Sequence, residues 1–166
     1  MADDVSPALK EMFNAARFRA IAGLLAEMDG FYGAPTADPL ELRVRQIHEA
    51  LFGDPPAGFA LLAWDEGRLA GLAAYSFVWP AVGLTRSLYL KELYVPASHR
   101  QRGVGELLMQ AIFEEAGKRG CSRVEWTTDT GNTGAQDFYR QLGFPAHLTK
   151  IFYRVESMGD GMPTVE

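Results

Sequence analysis

The 166-residue sequence is poor in the side chains that bind metals and form disulfides, with one cysteine and three histidines. A single cysteine, Cys121, excludes an intrachain disulfide and fits a reducing compartment. No cysteine or histidine lies near it at the spacing of a metal site. We therefore expect no metal, and we interpret Cys121 as a small core residue rather than a nucleophile.

The sequence also lacks long apolar runs and an excess of positive charge. No run approaches the ~18 apolar residues that cross a membrane, and the acidic start, MADDVSPALK, lacks the apolar core of a signal peptide. The formal net charge is −5, so no general affinity for nucleic acid is expected. We expect a cytoplasmic protein that binds neither membranes nor nucleic acid.

What is present suits a globular domain with a substantial core. The hydrophobic fraction of 48% and the charged fraction of 22% are ordinary for such a domain, and the length fits one domain. We assign residues 1–156 to that domain. Glycine and proline in residues 157–166 predict a loose tail.

The first half of the sequence predicts two helices and then three strands. Apolar spacing predicts a helix over about Phe18–Met28, and Val5–Met12 is either a poor first strand or a leader to that helix. Asp38 is expected to cap a second helix with Pro39 at its first position. An antiparallel meander follows, built from Gly58–Trp64, Arg68–Val78 and Leu84–Val95.

The second half alternates helices with strands. A helix runs from the glycine at 103 to Gly120, with a buried stripe that includes Leu107. It is followed by a strand at Ser122–Thr128, a helix at Asn132–Leu142 and a last strand at Ala146–Glu156. This order predicts an α/β fold, with a mixed, mostly antiparallel sheet, one parallel β-α-β crossover and helices on both faces.

The segment LYLKELYVPASHRQRGVGE, residues 88–106, is the most informative. It leads from an apolar strand through a proline turn into a basic loop that opens a helix. Gly103 and Gly105 remove side chains where a ligand would approach the backbone, and Arg100 and Arg102 flank the helix start. Bare N–H groups at a helix N-terminus bind phosphate, so a phosphorylated ligand is predicted. Taken alone, the segment is also compatible with a turn that carries two solvated arginines.

Two motifs carry a resemblance to a known family. Residues 100–105, RQRGVG, match R/Q-x-x-G-x-G/A, and residues 132–144 match the pattern N-x-x-A-x-x-F-Y-x-x-L-G-F. Over about Leu9–Glu156 the chain resembles the GCN5-related N-acetyltransferases (GNAT). Residues 89–95, YLKELYV, are similar to the YLEDFFV of the diamine and spermidine/spermine branch.

The resemblance implies an enzyme that uses acetyl-coenzyme A as co-substrate. It implies that helix-start N–H groups hold the diphosphate, that the pantetheine arm lies along the strand near Leu93, and that a nearby backbone N–H binds the thioester oxyanion. Asn132 matches a position that contacts the arm. The implied cofactor-binding residues are Leu93, Tyr94, Val95, Arg100, Gln101, Arg102, Gly103, Val104, Gly105, Glu106 and Asn132.

The resemblance also implies catalytic roles. Tyr139 matches the general acid that protonates the departing thiolate, and Glu92 is the candidate base. Lys91 stands where the branch has an acid, and adjacent residues of a regular strand face opposite sides, so Lys91 and Glu92 are expected to point apart. The alternatives are a core aromatic for Tyr139, a surface carboxylate for Glu92 and a helix cap for Asn132.

A small-molecule primary amine is the acceptor that the resemblance favours, attacking the thioester directly. Two other functions stay open at this point: a protein or peptide N-acetyltransferase, and a binding module that has lost catalysis. Relatives in this branch are commonly dimers, which makes a homodimer an expectation here too.

Overall fold

The computed structural model describes residues 7–34 and 38–155, which divide into two units at Thr127 and Thr128. The predicted tail lies outside them, and the assignment of residues 1–156 to one domain stays a prediction. The elements of the first unit are α1 (Pro7–Phe31), α2 (Leu40–Phe52), β1 (Phe59–Asp65), β2 (Arg68–Val78), β3 (Arg86–Tyr94), α3 (Val104–Lys118) and β4 (Cys121–Trp126). The second unit contains α4 (Thr133–Gln141).

The sheet has the predicted topology. Its strand order is β1-β2-β3-β4, with the first two pairings antiparallel and β3 parallel to β4 through α3. The β1–β2 turn has Glu66 at φ 46° and Gly67 at φ 78°. Positive φ at both central residues is the geometry that suits a two-residue hairpin. The antiparallel pairings confirm the predicted meander, and the parallel pairing of β3 with β4 confirms the crossover.

Helices cover both faces of this sheet, as predicted. Leu72 and Tyr94 lie in one apolar cluster with Ile21 and Leu24 of α1. Gly71, the neighbour of Leu72 in β2, faces side chains of α3 instead. Because successive residues of a strand point to opposite faces, α1 and α3 lie on opposite sides of the sheet.

The N-terminal helices differ from the expectation at their starts. Helix α1 already begins at Pro7, so the strand alternative is wrong for residues 7–12; Val5 and Ser6 lie outside the described residues. Pro39 occupies the N-cap position of α2, and no side chain caps that helix. The predicted Asp38 cap is therefore wrong. The carbonyl of Pro39 accepts the Arg43 N–H at 3.1 Å, which starts the helix without a side-chain acceptor.

The buried stripe of α3 is rotated relative to the prediction. Leu107 is 60% exposed, whereas Met109 is buried beside Leu108 and Ile112. Leu107 and Met109 lie on either side of Leu108, and with 3.6 residues per turn either of them could face the core. The sequence pattern alone therefore does not decide which of the two is buried.

The last predicted strand is wrong for its described residues. Residues 146–155 contain no strand, and apolar side chains there are exposed, with Leu148 at 89% and Tyr153 at 84%. Their alternation resembles a strand, but a strand exists only through pairing, and no described strand pairs with this segment.

Candidate active site

The two parallel strands separate at the carboxyl end of β3. Pairing between β3 and β4 ends at Leu90 and Trp126, whereas pairing between β3 and β2 continues to Tyr94 and Leu72. Residues 91–94 therefore present toward the β4 side a backbone edge that is not paired with β4. An extended ligand can add to such an edge through main-chain hydrogen bonds.

A β-bulge lies where the strands separate. Glu92 pairs with Ala74 and Leu90 with Tyr75, so Lys91 has no opposite residue. The bulge interrupts the alternation of side chains. The Lys91 Nζ lies 3.4 Å from the Glu92 Oε1, so the expectation that these two side chains point apart is wrong.

The bulge turns Glu92 toward the face that carries α1. Its partner Ala74 packs against the apolar cluster of α1, and directly paired residues share a face. Tyr94, on the same face, is buried and donates its hydroxyl hydrogen to the Glu27 Oε1 at 3.0 Å. Burial, reinforced by this carboxylate, raises the pKa of Tyr94. The Glu92 side chain is thus partly exposed, at 33%, whereas the side chain of Tyr94 is buried.

The start of α3 has the geometry of an anion site. Gly103 stands at the N-cap position with φ 79°, and no side chain caps the helix. A Cβ on Gly103 would meet nothing within 4 Å, so the space beside this residue is open. Gly105, which also lacks a side chain, follows within the first turn, at the positive end of the helix dipole. Uncapped N–H groups at this end can donate to an anion.

Both arginines of the loop contact the protein itself. The Arg100 Nε donates to the Val95 carbonyl at 2.9 Å, and its guanidinium lies 4.9 Å from the ring centroid of Phe31. The Arg102 Nη1 lies 3.2 Å from the Asp65 Oδ2. Between them, Gln101 adopts a left-handed φ of 58°. Asp65 lies beside the β1–β2 turn, and nothing in its local sequence pattern indicates the contact with Arg102.

Asn132 and Tyr139 belong to the second unit. The Asn132 Oδ1 accepts the Ala135 N–H at 3.1 Å, so the helix-cap role is confirmed. Tyr139 lies on α4 with its ring centroid 5.1 Å from that of Phe138. Helix α4 ends at Gln141 with Leu142 as its C-cap, and Gly143 follows with a φ of 83°, which suits glycine. The second motif thus builds a short, capped helix that carries Tyr139.

Cys121 opens β4 and is partly buried. Burial raises the pKa of its thiol, which keeps it protonated and weakens it as a nucleophile. Over residues 7–34 and 38–155, no group of three or more His, Cys, Asp or Glu side chains could hold a metal ion. None of the helices in the same ranges is long and apolar enough to cross a membrane.

Comparison with known proteins agrees with this geometry. The chain is 28% identical over 98 residues to the L-ornithine N5-acetyltransferase of Arabidopsis thaliana, covering 59% of this chain and 42% of that protein, less than half its length. It is 34% identical over 119 residues to the aminoglycoside N(6')-acetyltransferase type 1 of Salmonella typhimurium, covering 70% of this chain and 81% of that protein.

A solved structure shows a similar fold. An integron cassette protein from the mobile metagenome of V. cholerae superimposes with a TM-score of 0.79 and 26% identity, over 87% of this chain and 90% of that chain. The profile of the Acetyltransferase (GNAT) family matches residues 22–144, which include the diverging strands and both motifs. As the resemblance predicts, the chain belongs to the acetyltransferase (GNAT) family, a family of N-acetyltransferases.

Proposed function

We propose that this protein transfers an acetyl group from acetyl-coenzyme A to the primary amine of a small molecule. The observation that carries the proposal is the edge of β3 beyond Leu90, which lies in the chain just before the uncapped start of α3. This combination offers a binding edge for an amide-containing arm and N–H groups for a diphosphate. Membership in the GNAT family supports the same co-substrate.

Different residues bind different parts of the coenzyme. The loop and helix start, residues 100–106, bind the diphosphate mainly through backbone N–H groups, since Arg100 and Arg102 contact the protein. Backbone groups of Leu93–Val95 pair with the pantetheine arm, and an N–H of Leu93 or Tyr94 stabilises the oxyanion. Asn132 contacts the arm while it caps α4.

The proposed chemistry is direct transfer. Glu92 accepts a proton from the acceptor ammonium, directly or through water, and the freed nitrogen attacks the thioester carbonyl. As the C–S bond breaks, Tyr139 donates its phenolic proton to the departing thiolate, and the nitrogen of the new amide bond loses its second proton, which restores Tyr139 directly or through water. The Lys91 ammonium lies 3.4 Å from the Glu92 carboxylate, and this ion pair orients the proposed base.

A small amine is the acceptor class that the relatives support. The names of the two relatives above specify ornithine and aminoglycosides, which are both small molecules with more than one amino group. The test is release of coenzyme A thiol from acetyl-coenzyme A in the presence of amino acids, diamines, aminoglycosides and a lysine peptide. We expect turnover with a small amine. Turnover with the peptide alone would favour a protein acetyltransferase. Binding of acetyl-coenzyme A without turnover of any amine would favour a binding module that has lost catalysis.

A substitution at Gly103 tests the diphosphate site separately. Gly103→Glu places a carboxylate beside the N–H groups, so calorimetry should show complete loss of coenzyme A binding. Gly103→Asn is the matched control because asparagine tolerates the left-handed φ of 79° without adding charge. Coenzyme binding that survives in the glutamate variant would contradict the assigned site.

A further inference from the structure

The loop that precedes α3 has an unfavourable backbone conformation at its centre. Gln101 adopts φ 58° and Gly103 φ 79°. Glycine tolerates this region, but a residue with a Cβ persists there only when its surroundings hold it. The N–H groups of this loop bind an anion well only if they already point together. What holds the loop therefore bears on coenzyme affinity.

One carboxylate oxygen contacts the loop on both sides of Gln101. The Asp65 Oδ2 lies 3.2 Å from the Arg102 Nη1 and 3.6 Å from the His99 Nε2. The His99 side chain is only 12% exposed and the Asp65 side chain 41%. The Arg102 side chain is 56% exposed, so solvent screens its ion pair with Asp65, and the contact with His99 is the more sheltered of the two. The two contacts bracket the strained residue.

Asp65 is itself held by a tight hairpin. It is the last residue of β1 and pairs with Arg68 across the turn. In the sheet order β1-β2-β3-β4, this turn lies on the side of β3 opposite β4. Asp65 therefore reaches the loop from the side away from the β3 edge proposed to bind the coenzyme arm.

We infer that Asp65 is a positioning residue for coenzyme binding, which holds the loop of residues 99–103 in its binding conformation through His99 and Arg102. The inference rests on the proposed function, since it assigns a purpose to the shape of the proposed diphosphate loop. Asp65 touches neither the coenzyme nor the reacting atoms. Its removal lets the loop relax, so binding must then restore the conformation.

The experiment compares Asp65→Asn with Glu66→Gln. Both variants remove one negative charge from the same turn, but Glu66 takes part in neither contact. For Asp65→Asn we expect the Kd of coenzyme A, measured by calorimetry, to rise about three- to tenfold. Turnover at saturating acetyl-coenzyme A should stay within about twofold of the wild type, because the reacting groups are unchanged. Glu66→Gln should match the wild type in both.

A double-variant cycle shows whether Asp65 acts through the loop. In an Arg102→Gln background, Asp65→Asn should weaken binding less than it does in the wild type. Unchanged affinity in Asp65→Asn, or an equal loss of affinity in Asp65→Asn and Glu66→Gln, overturns the inference but leaves the proposed function standing. A wild-type protein without affinity for coenzyme A overturns the proposed function as well. A drop in turnover that matches a lower thermal midpoint would assign Asp65 a structural role and overturn the inference.

Discussion

The proposed role of Tyr139 depends on a single hydroxyl group. Tyr139→Phe removes the proton donor and keeps the ring that lies against Phe138. General acid catalysis contributes about 10²–10⁴-fold, so turnover should fall by at least about 10²-fold while the Kd of acetyl-coenzyme A stays unchanged. Steady-state kinetics and calorimetry on the same preparation measure both. Tyr153→Phe, at an exposed tyrosine, is the control.

Tyr94 links stability to pH. Because its pKa is raised in the folded chain, the folded state holds this proton more tightly than the unfolded state does. The stabilisation is complete below the unfolded pKa of about 10 and is lost as the pH rises through the raised value. Tyr94→Phe should lower the free energy of unfolding by about 1 kcal/mol at neutral pH, through loss of the bond to Glu27.

The alkaline loss of stability should also become shallower in Tyr94→Phe. Tyr75, whose pKa burial also raises, keeps part of the dependence. Urea denaturation at several pH values between about 7 and 11 measures this. An identical slope in the variant and the wild type would show that Tyr94 does not titrate with unfolding.

Single residues were predictable where their role is local. Gly103 is the N-cap of α3 and has a left-handed φ, which glycine adopts readily. Asn132 caps α4, a position that asparagine favours. The bulge at Lys91 was not predictable, because it arises from the fit of β3 to its partner strand. The contact of Asp65 with Arg102 joins residues far apart in sequence, and no periodicity encodes it.

At the scale of elements, apolar periodicity predicted most of the structure. β2 has the bounds predicted, Arg68–Val78, because both of its ends adjoin turns with clear residue signals. The segment after α4 shows the limit of periodicity. An alternating pattern indicates that a segment is able to pair as a strand, but it does not indicate that a partner edge is present. Residues 146–155 alternate in this way and form no strand.

Gly71 controls how closely α3 approaches the sheet. A Cβ there would lie 2.9 Å from the Leu108 Cδ1, 3.0 Å from the Val104 Cγ1 and 3.2 Å from the Tyr94 carbonyl oxygen. Gly71→Ala should therefore lower the free energy of unfolding by about 1–3 kcal/mol. It should also weaken coenzyme A binding, since the displaced residues belong to the start of α3. Denaturant melts and calorimetry give the two values.

The matched control for this element is Gly23→Ala. Gly23 lies inside α1, and a methyl group there would meet nothing within 4 Å, so alanine should stabilise the helix by about 0.5–1 kcal/mol. If Gly71→Ala proved equally harmless, the close approach of α3 to β2 would not be needed for stability or binding.

At the scale of the whole molecule, the net charge of −5 bears on the choice of acceptor. Amines are cations at neutral pH, and attraction to an acidic protein grows with the charge of the ligand. Added salt screens this attraction. Between about 20 and about 300 mM NaCl, the KM of a diamine should therefore rise by about threefold, and that of a monoamine of similar length should change less.

The coenzyme provides the internal control for this experiment. Its anionic diphosphate is attracted by local N–H groups although the chain as a whole repels it, so its KM should not follow the diamine trend. Initial rates at saturating acetyl-coenzyme A isolate the acceptor KM. Equal salt dependence for the diamine and the monoamine would show that acceptor charge is not recognised, and selectivity among small amines would then have to come from the shape of the site.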